Sequence, residues 1–246
     1  MKLMISVISA EEAQEALLGG AEILDAKNPA EGSLGAPAPQ VIREIKEIAA
    51  GRVEISAAIG DLPNLPGTAA LAALGAAVCG ADFVKAGLHG IRSESEAVAL
   101  LIEAKRAVRD FSASIIAAGY ADFRRAGALD PACLPRAAAS AGVRGCLLDT
   151  AIKDGRSLFD FIGHQELRLL IAQAHEAGLL FGLAGALSEK DLPIARNLGA
   201  DIVGLRTAVC RDSHRAGPLD AARVRRLQDV LRNQRSDAAA ALEQLR

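Results

Sequence analysis

Three lysines and two aspartates stand at or just beyond the ends of short aliphatic runs. Asp25 and Lys27 lie in Ile23-Leu24-Asp25-Ala26-Lys27, Lys85 in Phe83-Val84-Lys85-Ala86, and Asp149 and Lys153 in Leu148-Asp149-Thr150-Ala151-Ile152-Lys153. A lysine amine is a nucleophile only when neutral, and nearby cations and partial burial push its pKa down. It then condenses with a carbonyl to an iminium, which acidifies the neighbouring C–H and opens enamine, aldol and elimination chemistry. A second lysine or an aspartate moves the protons. Asp25 opposes the depression at Lys27, so proton transfer or positioning suits it better. Spacing alone does not rank the lysines. Structural ion pairs would account for Asp25–Lys27 or Asp149–Lys153 taken singly. Five such groups converging are harder to explain that way, because stability alone favours aliphatic side chains in their place.

Signals for a phosphate follow later in the chain. Ala184-Gly185-Ala186-Leu187-Ser188 is a glycine turn with Ser188 at a helix start, and Gly204-Leu205-Arg206-Thr207 ends another apolar run. Backbone N–H groups at such turns bind anions, and Arg206 is a candidate phosphate ligand. Asn28 opens a glycine- and proline-punctuated loop over residues 27–37, which is long enough to be a lid but also serves as a plain connector. Tyr120 and Asp122 are candidate pocket residues. Asp61, Asn64 and His89 are weaker ones.

Short apolar runs at 3–8, 22–26, 53–59, 82–86, 112–118, 144–148, 179–184 and 201–205 predict strands. Helical patterns follow them at 10–19, 38–50, 67–79, 93–109, 124–141, 164–177, 188–198 and 219–233. Continuous apolar strands alternating with helices mean a parallel sheet covered by helices. Eight units in this length fit an α/β fold, the closed (β/α)8 TIM barrel, whose chemistry gathers at the C-terminal strand ends and whose phosphate sites use the loops after strands 7 and 8. A weak repeat supports the barrel. Gly20-Ala21-Glu22, Gly80-Ala81-Asp82, Gly199-Ala200-Asp201 and, more loosely, Gly142-Val143-Arg144 each end a helix and begin an even-numbered strand. A doubly wound open sheet is the alternative, but it normally carries a glycine-rich turn after its first strand; Ser9-Ala10-Glu11-Glu12 stands there instead. One domain is expected over 1–246, with a C-terminal helical tail at about 236–246.

The 246 residues are 51% hydrophobic and 3% aromatic, with a formal charge of −2. The chain is apolar enough to bury a core. Its charge and scarcity of aromatic rings argue against a nucleic-acid partner. No apolar run approaches the roughly 20 residues of a membrane span, and residues 1–8 are too short for a secretory signal, so a cytoplasmic protein is expected. Cys79, Cys133, Cys146 and Cys210 include no C-x-x-C pair, and His89, His164, His175 and His214 form no cluster. No metal or other cofactor is expected.

Asp25-Ala26-Lys27-Asn28-Pro29-Ala30-Glu31-Gly32-Ser33-Leu34-Gly35, Ala117-Ala118-Gly119-Tyr120-Ala121-Asp122 and Leu148-Asp149-Thr150-Ala151-Ile152-Lys153-Asp154-Gly155 together resemble the (5-formylfuran-3-yl)methyl phosphate synthases of methanofuran biosynthesis. The likeness runs along nearly the whole chain. It implies a TIM barrel that condenses two molecules of glyceraldehyde 3-phosphate to the furan aldehyde phosphate, releasing phosphate and water. It implies Lys27 as the Schiff-base lysine and Lys85 as the proton acceptor, with Asp25, Asp149 and Lys153 completing the catalytic set. Gly185, Ala186, Ser188, Gly204, Arg206, Thr207, Asn28, Tyr120 and Asp122 are the expected substrate and phosphate contacts. Ala186 and Thr207 depart from the family pattern, which has serine and glycine there, so phosphate contacts are expected to differ in detail. A homo-oligomer is expected. Two other readings stay open: a class I aldolase that stops at the aldol, and a catalytically silent barrel. Retention of all five charged residues argues against the second.

Overall fold

In the computed structural model, residues 1–243 are described. Eight parallel strands close into a barrel in sequential order: β1 Lys2–Val7, β2 Ile23–Ala26, β3 Glu54–Ala58, β4 Phe83–Gly87, β5 Ser114–Tyr120, β6 Gly145–Asp149, β7 Leu180–Leu183 and β8 Ile202–Leu205. The helices are α1 Ala10–Gly19, α2 Pro39–Ala49, α3 Pro66–Val78, α4 Glu94–Ala107, α5 Phe123–Ala126, α6 Leu134–Ala141, α7 His164–Glu176, α8 Leu192–Leu198 and α9 Ala221–Glu243. The closed barrel is the expected (β/α)8 architecture, and the open-sheet alternative falls.

Alternation along the strands sorts the apolar residues into two cores. Leu24, Ala26, Ile55, Ala57, Val84, Ala86, Leu148 and Val203 pack outward against the helices. Met4, Ile23, Ala58, Ile116, Ala118 and Leu147 fill the barrel interior. The same alternation turns Asp25, Lys85 and Asp149 inward, above the apolar fill.

The glycine–acid repeat has a structural cause. Gly20, Gly80, Gly142 and Gly199 all adopt positive φ (92°, 95°, 64° and 95°), the left-handed turn that ends a helix. The acidic residue that follows in three copies reaches the neighbouring odd-numbered strand. Glu22 accepts the Leu3 amide at 3.0 Å, Asp82 the Ile55 amide at 2.8 Å and Asp201 the Phe181 amide at 2.7 Å. Each carboxylate thereby ties β2, β4 or β8 to the start of its neighbour at the bottom of the barrel. Arg144 stands at the fourth copy, so β6 lacks such a tie.

Four elements differ from the sequence expectation. The helix expected over 124–141 is broken: Gly127, at φ 63°, ends the four-residue α5, and Pro131 and Pro135 each start a new turn. The strand expected over 112–118 is displaced to Ser114–Tyr120, because Tyr120 still pairs with Asp149 of β6. The helix expected over 188–198 opens as a 3-10 turn, Glu189–Asp191. The last helix continues beyond 233 to Glu243. Of the tail expected at about 236–246, residues 244–246 lie outside the described residues. Among the described residues, no helix is long and apolar enough to cross a membrane.

Candidate active site

The charged side chains meet inside the C-terminal end of the barrel. Asp25 is fully buried, and one carboxylate oxygen, Oδ1, lies 2.6 Å from Lys85 Nζ. The approach is a charge contact rather than a directed hydrogen bond, and both atoms lack a hydrogen-bond partner among the described residues. The other oxygen, Oδ2, accepts the Ser6 hydroxyl at 3.0 Å and lies 3.9 Å from Lys27 Nζ. Asp25 therefore stands between the two lysine side chains, and Ser6, its register partner on β1, fixes its rotamer. Lys153 reaches back one turn from the loop after β6, donating to Asp149 Oδ1 at 2.7 Å and to the Thr150 hydroxyl at 3.2 Å.

This arrangement separates the ionisation behaviour of the groups. Burial, then repulsion from Lys85, pushes the Lys27 amine from the usual 10.5 down to about 7; Lys153 adds to this, and Asp25 and Asp149 oppose it. Burial likewise lowers Lys153, against the attraction of Asp149. For Asp149, burial works upward, but Lys153 and Lys27 outweigh it and hold the carboxyl well below the usual range. A lysine neutral for part of the time at neutral pH sits beside fixed carboxylates and further cations. That combination suits amine attack on a carbonyl followed by proton transfer.

The loop after β2 supplies the burial. A 3-10 turn at Pro29–Glu31 and the Asn28 N–H to Gly35 carbonyl bond (2.8 Å) fold it back over the mouth. Ser33 and Leu34 are buried there, and Leu34 joins the interior apolar cluster. Lys27 Nζ donates to the Ser33 carbonyl at 3.4 Å, while the Ser33 hydroxyl donates to the Thr150 carbonyl at 2.8 Å. Asp61 anchors the far side: Oδ2 accepts the Leu34 amide at 3.2 Å and Oδ1 accepts the Tyr120 hydroxyl. Of the two roles open to this loop, the lid is the one it occupies. Gly32 is its tightest point, with φ at +125°, and a Cβ there would collide with Asp61 Oδ2. Gly32→Ala is expected to lift the lid, hydrate Lys27 and return its pKa toward that of a free lysine. The rate at pH 7 falls about tenfold or more, with a partial recovery at pH 9. A pH–rate profile of the variant checks this; an unshifted acidic limb overturns the lid's role.

The loops after β7 and β8 form the opposite wall. Gly185 (φ +106°) and Ala186 (φ +47°) both take the left-handed turn. They line the cavity with Lys27, Lys85, Gly204 and Thr207. The amides of Ala186 and Leu187 donate to no group among the described residues, so they remain available to an anion.

The chain matches the family model described as 4-HFC-P synthase over residues 3–228. It belongs to the 4-HFC-P synthase family. Relatives named (5-formylfuran-3-yl)methyl phosphate synthase include those of Methanosarcina acetivorans, 50% identical over 87% of this chain and 93% of the relative, and of Methanopyrus kandleri, 47% identical over 94% and 98%. That of Methanocaldococcus jannaschii is 45% identical over 94% and 99%. Among solved structures, a 3-hexulose-6-phosphate synthase superposes with a TM-score of 0.62 at 19% identity, covering 92% of this chain and 99% of that one. The phosphoribosyl anthranilate isomerase of Thermus thermophilus gives 0.60 at 20% identity, covering 95% and 100%. These two likenesses show the barrel fold alone.

In this member of the 4-HFC-P synthase family, several residues singled out from sequence stand elsewhere. Ser188 faces away from the mouth cavity, and its hydroxyl and amide both go to Asp191, capping the turn before α8. Asn28 caps the lid's own turn by accepting the Ala30 amide at 3.1 Å. Asp122 lies outside the cavity and accepts the amides of Ala151 and Ile152 (2.6 and 3.0 Å), shaping the loop that carries Lys153. Tyr120 lies beneath the lid rather than in the cavity; burial first, then the Asp61 charge, keeps its hydroxyl protonated as a donor. Asn28 and Asp122 shape loops at the site through backbone amides, Tyr120 acts through Asp61 and Ser188 caps a turn. Residue type does not distinguish these roles from lining the cavity. Arg206 lines the cavity, but its guanidinium is engaged by Glu12. Sequence reasoning missed Ser6, Ser33, Glu12 and Arg215. A signal existed for Ser6, which is two residues from Met4 and shares its inward face; the others depend on loop paths.

Proposed function

We propose that this enzyme is a (5-formylfuran-3-yl)methyl phosphate synthase acting in methanofuran biosynthesis. It condenses two molecules of glyceraldehyde 3-phosphate through a Schiff base on Lys27, with loss of phosphate and water. The observation that carries the mechanism is the buried Lys27 amine, held to about 7 beside Asp25 and Lys85. The names of the relatives support the product, and the family resemblance implies glyceraldehyde 3-phosphate as the substrate.

Neutral Lys27 attacks the aldehyde carbon of one triose phosphate, and loss of water leaves the iminium. Lys85, the ammonium paired with Asp25 at the outset, gives its proton to the departing water and, now the free amine, removes the proton next to the iminium carbon to give the enamine. The enamine expels the phosphate from its own C3 to leave an unsaturated iminium. C2 of the second triose phosphate, deprotonated next to its aldehyde, bonds to that C3. Hydrolysis of the iminium at the end frees the formyl group and Lys27. Asp149 and Lys153 move protons during elimination of phosphate and dehydration, and ring closure to an aromatic furan makes the sequence irreversible in practice. The amides after β7 and the loop after β8 hold one phosphate, in keeping with the anion sites of this fold. The mouth's cations suit a substrate that brings two phosphates into one pocket.

Incubation with glyceraldehyde 3-phosphate alone tests the proposal. A new ultraviolet absorber with the mass of the furan aldehyde phosphate, together with released inorganic phosphate, is expected. Sugar phosphates without the absorber point to an aldolase that stops at the aldol and overturn the assignment.

A further inference from the structure

Two of the arginines that follow β8, Arg206 and Arg215, have different fates. Every N–H of Arg206 is spent. Nε donates to the Arg215 carbonyl at 3.0 Å. Nη1 donates to the Ser6 carbonyl at 3.1 Å and to Glu12 Oε2. Nη2 donates to Glu12 Oε1 at 3.0 Å and to the Gly217 carbonyl at 3.3 Å. A guanidinium has five such donors, and its charge here is balanced by Glu12, so nothing remains for a substrate anion. The expectation that Arg206 binds phosphate is corrected on that count.

Arg215 is the opposite case. It rides on the loop between Cys210 and Leu219, whose ends form an antiparallel bridge. The loop is laced by the Arg211 amide to the Pro218 carbonyl (2.9 Å) and the Gly217 amide to the His214 carbonyl (2.8 Å). Arg206 grips this loop at two carbonyls, those of Arg215 and Gly217, and so sets its height over the mouth. The Arg215 side chain enters the cavity that holds Lys27 and Lys153. Its Nη2 is buried and donates to no group among the described residues. A buried donor without an acceptor is unfavourable, and an anionic acceptor removes that cost. The free amides of Ala186 and Leu187 belong to the same wall of the cavity.

We propose that Arg215 binds a phosphate group of the sugar phosphate substrate, and that the buried Glu12–Arg206 pair is the bracket that aims it. Arg215 is then a substrate-binding residue and Arg206 a positioning one. The inference rests on the proposed function for the identity of the substrate, but not for the presence of an anion site.

The experiment compares the wild type, Arg215→Ala and Arg215→Lys in borohydride capture on Lys27, with glyceraldehyde 3-phosphate and with unphosphorylated glyceraldehyde. Loss of a charge-assisted contact is expected to raise the half-saturating concentration of glyceraldehyde 3-phosphate about tenfold or more in Arg215→Ala, with Arg215→Lys intermediate. Capture by glyceraldehyde is expected to stay the same, which also shows that the variants fold. Equal loss with both aldehydes, or no loss with either, overturns the inference. Calorimetric titration with inorganic phosphate is the second arm and involves no covalent step. Phosphate binding that is lost in Arg215→Ala supports the anion site even if the wild type forms no adduct, in which case only the Schiff-base reading fails. Unchanged phosphate binding removes Arg215 from the site.

Discussion

Lys27→Ala is expected to lower turnover on the order of 10^4-fold or more, since a covalent route is lost and each tenfold is about 1.4 kcal/mol of barrier. Borohydride capture disappears with it. In the wild type, the rate of adduct formation falls as pH drops below about 7, where the Lys27 amine gains its proton. A structural role for Lys27 predicts a different stability signature. Its folded-state pKa, about 7, lies below the ordinary 10.5, so between those pH values the unfolded chain holds more protons than the native one. Stability associated with this residue therefore rises with pH across that window. Lys27→Met removes the buried cation and is expected to be at least as stable as the wild type at pH 7, with the wild type gaining relative to it toward pH 10. Urea denaturation of both proteins from pH 7 to 10 reads this. An inactive variant that is also markedly less stable, or a fully active one, sinks the nucleophile assignment.

Lys85→Met produces the second large effect, and it separates two roles. Repulsion from Lys85 is the second contributor to the depressed pKa of Lys27, after burial. Removing it raises that pKa, so the acidic limb of adduct formation moves to higher pH. Asp25 keeps the Ser6 hydroxyl and Lys27 as neighbours, so the carboxylate is not left alone. If Lys85 also takes the proton next to the iminium, furan formation stays down by about 10²–10⁴-fold at every pH. Capture at pH 9, by contrast, recovers to near the wild-type level. Parallel measurement of borohydride capture and of the ultraviolet product across pH distinguishes the two. Turnover that tracks capture throughout reduces Lys85 to an electrostatic neighbour.

The barrel and the charged centre were legible in the chain because both depend on local period. Alternating faces place Ile23, Asp25 and Lys27 on one side of the chain, and Met4 and Ser6 likewise, whatever the rest of the molecule does. The glycine after each helix marks a left-handed turn that few other residues adopt, so Gly20, Gly80, Gly142 and Gly199 counted the units correctly. Alternation also carried Lys85 and Asp149 to the interior face once the strands existed.

Arginine assignment was decided elsewhere. Arg206 and Glu12 are 194 residues apart in sequence, and only barrel closure of β8 onto β1 brings them together. Nothing local distinguishes an arginine whose five donors are consumed from one whose donor is free. The lid has the same origin, since the bond from Ser33 to Thr150 spans 117 residues. Burial at Lys27 comes from that loop's path, and burial is the largest cause of its depressed pKa. Local sequence thus sets which face a side chain takes, because backbone geometry has a fixed period. Which groups neutralise, cover or leave it free depends on contacts between distant segments, and no period encodes those.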